Sequence, residues 1–241
     1  MTVGTPPPTV WGVNHFTPDA VREDIATDLS LLGRNYLDFV YLDDHPRVPF
    51  EPIIDAIARE IAGGQLRAFG VRNWTAERIT DACVHASRLG AGISAVVTTE
   101  LALASATRPL WPEYAPFDAA LARVVLDCGL AVFAHAEDVN LGQCLYEDAD
   151  AAALSRSPWT QRWQHPDNPS LIASVREFAA ARNLTPREVN LAWVLNQPFP
   201  VVALVGLPAL LARSAEYERA SQLLLDDADQ YALIPRRCSA H

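Results

Sequence analysis

From residue 17 onward, stretches with a helical apolar period take turns with short, nearly continuous apolar runs. The first helix is expected from Pro18 to Gly33, with Thr17 as its cap, Pro18 in the first turn and Gly33 closing it. The run "YLDFVYLDDHPRVPF" follows, and its apolar part predicts a strand near Leu37 to Leu42. A second helix, "FEPIIDAIAREIAGG", stops at Gly63-Gly64. Next come the strand "LRAFGV", a helix from Thr75 to Leu89, the strand "ISAVVTT", a helix from Phe117 to Cys128 and the strand "LAVFAH". A long loop, Ala136 to Pro169, is rich in Asp, Ser, Pro and Trp, and loops of this length often serve as lids. Helices are then expected at Ser170–Arg182 and Pro186–Asn196, followed by the strand "VVALVG" and a helical tail. Continuous apolar strands separated by helices predict a parallel sheet covered by helices, either a barrel or a doubly wound sheet.

Composition narrows this to one α/β domain over residues 1–241, since half of the residues are hydrophobic and can bury a large core. No apolar run approaches the ~20 residues that a bilayer span needs. The start "MTVGTPPPTV" lacks the regions of a signal peptide, so a cytoplasmic location is expected. Cys83, Cys128, Cys144 and Cys238 are scattered and read as reduced thiols. A net charge of -10 speaks against nucleic acid and anionic membrane as partners. The 19 basic residues are all arginine, so no side-chain amine is available for a Schiff base or for tuning a tyrosine. Neither GxGxxG after the first strand nor GxxxxGK[ST] occurs, which lowers the Rossmann and P-loop readings. HxH and HExxH are absent as well, and no metal site is expected.

The segments "TPDAVREDIATDLSLLGRNYLDFVYL", "IAGGQLRAFGVRNWTAERI" and "LTPREVNLAWVLNQPFPVVALVG", in this order, resemble the aldo-keto reductases. The resemblance runs from about Thr17 to Leu233 and implies a TIM-type (β/α) barrel with an NADPH site. A full barrel of this kind takes roughly 250 residues or more. An incomplete barrel is therefore expected, with five of eight strands readable and "TVWGVN" as a possible sixth. The resemblance places the catalytic Asp, Tyr and Lys before the element at Pro18–Gly33, where only "MTVGTPPPTVWGVNHF" stands, so their loss is expected. The family histidine aligns with Asp43, and His45 lies two residues on. Of the Ser-Asn pair that holds nicotinamide, Asn73 is kept and Arg72 replaces the serine. Thr98 and Thr99 stand at the amide-bearing pair, and His135 at the aromatic that stacks on nicotinamide. Leu207, Pro208 and Ala209 stand in the phosphate-binding segment. No cofactor, or only weak and vestigial NADPH binding, is expected from that combination.

In such barrels the strand carboxyl ends form the active site. Asp43, His45, Arg72 and His135 are the expected catalytic groups there, with Asp43 as base, His135 or His45 as acid and Arg72 stabilising negative charge. Asn73, Trp74, Thr99, Glu100, Glu137 and Trp111 are the expected substrate-binding residues, and Trp159 and Trp163, which flank the same loops, are expected to line an apolar substrate pocket with Trp111. An ordinary Asp43–Arg72 salt bridge would account for the same two residues without catalysis. The reading favoured by the residues is cofactor-independent dehydration, isomerisation or cyclisation of a small secondary metabolite. Its alternatives are an NADP-dependent oxidoreductase with an atypical site and a noncatalytic binding or regulatory subunit. A homodimer is expected, because an incomplete barrel leaves sheet edges to cover.

Overall fold

Threonine and proline set the helix starts of this chain. In the computed structural model, which describes residues 17–99, 101–109, 114–135 and 161–233, Thr17 accepts the Ala20 N–H at 3.2 Å and opens α1, Pro18–Leu32. Gly33 ends α1 at φ 61°, a left-handed turn that glycine adopts without a Cβ penalty. The order then runs β1 (Leu37–Asp43), α2 (Glu51–Ala62), β2 (Leu66–Arg72), α3 (Ala76–Arg88), β3 (Ile93–Thr98), α4 (Ala119–Asp127) and β4 (Ala131–His135). It continues with α5 (Asn168–Ala181), α6 (Pro186–Leu195), β5 (Val201–Leu204), α7 (Leu207–Gln222) and α8 (Asp227–Leu233). The chain is thus α/β, with five strands among the described residues, β1 to β2, β2 to β3 and β4 to β5 pairing in parallel, consistent with an incomplete barrel of this kind. The expected strand "TVWGVN" lies outside the described residues.

The described residues form two compact units, one within residues 17–97 and 119–130 and one within residues 98–118 and 131–233. In the first, β1 pairs β2 and β2 pairs β3, so sheet order follows chain order. Helix α2 packs against α1, α3 and β2, and buries Ile54, Ala56 and Ile57 completely. These residues repeat at helical spacing, so one face of α2 supplies much of the core. Phe69 and Val71 of β2 are buried as well, while Gly70 between them lies under the Phe39 ring. A Cβ on Gly70 would stand 2.6 Å from that ring and 2.6 Å from the Ala95 carbonyl. Only glycine admits so close an approach.

In the second unit, β4 pairs β5 from Val132↔Val201 to His135↔Leu204. Leu171, Val175, Val189, Ala192 and Trp163 are buried in one cluster with Leu233. Trp163 is therefore a core residue, 3% exposed, rather than the pocket-lining tryptophan expected from its place beside the long loop. Helix α5 starts at Asn168, two residues before the expected Ser170. The Asn168 amide is buried and donates to the Trp163 and Ser105 carbonyls at 2.6 and 2.9 Å, fixing the start. The remainder of the expected 136–169 loop, up to residue 160, lies outside the described residues. Among the described residues no helix is long and apolar enough to cross a membrane.

Candidate functional site

The carboxyl ends of β1 and β2 bring Asp43, Asp44 and Arg72 together, with Arg78 of α3 close by. Strand β1 runs one residue further than its apolar pattern indicates and ends on Asp43, which pairs in register with Arg72. Alternation along β1 puts Phe39, Tyr41 and Asp43 on one face, and the latter two both reach Arg72. Arg72 donates through Nε and Nη2 to the two Asp43 oxygens, a bidentate pair. Its Nη1 donates to the Tyr41 hydroxyl oxygen at 3.1 Å, and its guanidinium carbon lies 4.6 Å from the centre of the Tyr41 ring. All three side chains are partly exposed. Burial pushes the Tyr41 phenol above its ordinary range, an effect that Arg72 opposes and Asp43 reinforces.

At the very next residue, a second carboxylate is tied down by a second arginine. The Asp44 side chain is 7% exposed and lies 3.0 Å from Arg78 Nε, an ion pair without hydrogen-bond alignment. Burial raises the Asp44 carboxyl above its ordinary range, against the pull of Arg78. Arg78 reaches back from the first turn of α3 to donate to the Val48 carbonyl at 2.7 Å and the His45 carbonyl at 3.4 Å. Its guanidinium also covers the rings of Trp74 and Phe50, 4.6 and 5.3 Å from their centres. One side chain thus fastens the β1–α2 loop to α3, and His45 is carried in that loop with its carbonyl turned to Arg78.

Asn73 follows β2 in a left-handed conformation, φ 60°, that asparagine tolerates better than most residues. Its N–H donates to the Val97 carbonyl at 3.2 Å. Its side chain is buried, and neither end of the carboxamide has a hydrogen-bond partner. Trp74 beside it is 2% exposed under Arg78, a packing position rather than a lining one.

The second unit holds the other expected site residues that are described. Thr98 and Thr99 are buried, and His135 ends β4 partly buried. Glu100, Glu137 and Trp111 lie outside the described residues, and so do Asp138 and Trp159. Among the described residues, no three or more His, Cys, Asp or Glu side chains gather in a way that could hold a metal ion. Two of the expected scattered thiols meet: Cys83 of α3 shares a thiol–thiol hydrogen bond with Cys128, and burial followed by this contact pushes it up to about 12. Such a thiol stays protonated and is no nucleophile at neutral pH.

Sequence reasoning overlooked Tyr41 and Arg78. Strand alternation already placed Tyr41 on the face of Asp43, so that signal was present. Arg78 had none, because its partners Asp44 and Val48 lie in another element and only folding brings them near.

Residues 8–104 match the model of the Aldo/keto reductase family, a stretch that falls mostly in the first unit. No curated protein matches the chain.

Proposed function

From an aldo/keto reductase segment over residues 8–104, we propose that this chain acts on a small, secondary-metabolite-like molecule by acid/base chemistry without a nicotinamide cofactor. The observation that carries the cofactor-free part of this reading is the bidentate Arg72–Asp43 pair, which by itself is also what a purely structural salt bridge would show. By resemblance, Arg72 stands where a serine helps to hold nicotinamide, and Asp43 where the family histidine stands. A guanidinium in a closed ion pair supplies neither the small hydroxyl nor the space that serine gives. The residues therefore do not fit NADPH as a set, although the buried, unpartnered carboxamide of Asn73 would suit an amide.

In this reading Arg72 stabilises negative charge that develops on the substrate, and Asp43 fixes its orientation. Asp43 is also the candidate base, a role in which one of its two bonds to Arg72 must open. His45, in the loop after β1, is the candidate acid. Dehydration, isomerisation and cyclisation each need such a base and acid and no electron carrier. The cytoplasmic setting of the proposal is supported by the two adjacent free thiols, Cys83 and Cys128, which suit a reducing compartment.

The Asn73 carboxamide favours a second reading, an oxidoreductase that keeps the cofactor with an altered site. NADPH titration separates the two, with Trp74, the neighbour of Asn73, as the fluorescent reporter. The expected dissociation constant is weaker than about 100 μM. Saturable binding near about 1 μM would replace the proposal by the cofactor-dependent reading.

A further inference from the structure

We propose that Cys83 and Cys128 form a modification site, a reversible disulfide that hydrogen peroxide closes and that bridges α3 to the end of α4 in the first unit. The inference is independent of the reading above, since it holds whatever the first unit binds.

Two helices bring the thiols together. Cys83 lies in α3, and Cys128 follows α4 directly. The two helices pack against each other, and the thiols share a hydrogen bond, so their sulfurs are already in contact. Both are free, Cys83 half-buried and Cys128 exposed. Closing the bond asks for little motion of the chain. Cys128 sits where α4 gives way to Gly129, which turns at φ 64°, and a residue at a helix end adjusts more readily than one inside a helix. Cys83 is held in place by α3, whose Ile79, Ala82 and Ala86 are buried.

Exposure sets the order of the two steps. Peroxide meets Cys128 first. The Cys128 sulfur attacks one peroxide oxygen, the O–O bond breaks, and a sulfenic acid and one water result. Cys83 then attacks the Cys128 sulfur, the S–O bond breaks, and the departing hydroxide takes the Cys83 proton to give the second water. The two thiols lose two electrons in all, and one peroxide is reduced to two waters. In the reduced protein, burial and then the contact with Cys128 hold the proton on Cys83. Oxidation of Cys128 removes the second of these restraints, so Cys83 gains nucleophilic character only after its partner has reacted.

The bridge closes a loop of about 45 residues, and a cross-link over such a loop takes conformational freedom from the unfolded chain. It also ties down the helix that carries Arg78, whose guanidinium holds the β1–α2 loop.

The test uses the full chain with Cys144→Ser and Cys238→Ser, so that Cys83 and Cys128 are the thiols left. Stoichiometric hydrogen peroxide is expected to consume both. A nonreduced tryptic digest should then contain Ile79–Arg88 joined to Val124–Arg156, lighter by two hydrogens than the separate peptides together. The thermal midpoint should rise by at least about 3 °C and fall back with dithiothreitol. Cys128→Ser in the same background should leave Cys83 reduced under the same treatment. Should the serine background fail to fold, the unsubstituted chain is digested instead, and fragmentation of Val124–Arg156 assigns the link to Cys128 or to Cys144. Cys128 carried to sulfinic acid with Cys83 still a thiol overturns the inference. A link between two chains, a link through Cys144, or a midpoint that does not rise overturns it as well.

Discussion

Asp43 and Arg72 stand opposite each other in the β1–β2 register, and one shared ion pair sets the character of the site. The pair is partly open to solvent, at 28% and 14% exposure, so its worth to stability is moderate. Asp43→Asn keeps the shape but replaces one anionic oxygen with a donor that faces another donor. It is expected to lower unfolding free energy by about 1–2 kcal/mol, read as a shift of the urea midpoint. A change under about 0.3 kcal/mol would mean that the pair contributes little to the fold. A second carboxylate gives a pH signature. Burial raises the Glu188 carboxyl, but the Thr185 N–H and Arg219 more than reverse this and hold it below the ordinary range. Because the folded state binds the Glu188 proton less readily than the unfolded chain does, its stabilisation is present above the unfolded value and lost as pH falls through the folded one. Glu188→Gln should therefore flatten the loss of stability between roughly pH 5 and pH 3, in urea melts taken across that range.

Elements are set by local signals wherever a side chain caps or a glycine turns. Thr185 shows this most fully: its hydroxyl accepts the Glu188 N–H at 3.2 Å while Glu188 Oε2 accepts the Thr185 N–H at 2.6 Å. This reciprocal pair fixes the first turn of α6. In the sheet, the decisive position is Gly70, with β3 backbone on one side and the Phe39 ring on the other. Gly70→Ala would drive a methyl group against the Ala95 carbonyl, which cannot move without shifting β3. A loss of about 1–3 kcal/mol is expected, checked by thermal unfolding. An unchanged midpoint would mean that the strands slide apart at little cost. Phe39→Leu should then recover part of the loss in Gly70→Ala, since it removes the ring half of the clash.

At the scale of the whole molecule, the alternation of strands and helices was legible from the apolar pattern, and the five described strands follow it. Among the described residues β1 is bonded on one side only, to β2, and Leu31, Leu211 and Leu224 are exposed. A symmetric partner would cover such edges and apolar side chains, so sedimentation at micromolar concentration is expected to give the mass of a dimer. A clean monomer would contradict this. What the sequence determined by itself is local: helix starts at Thr17, Thr75 and Thr185, the stop at Gly33, strand cores, and the shared face of Tyr41 and Asp43. Capping and side-chain alternation act within a few residues, so each can be read without knowing the fold. Only the tertiary structure decided that Asp43 meets Arg72 bidentately, that Arg78 reaches back to Asp44 and Val48, and that Trp163 is core while Asn73 is buried with its carboxamide unbonded. Those facts depend on register between strands and on which loop folds over which helix. The contacting residues are roughly thirty positions apart in sequence, and no local pattern encodes the distance between them.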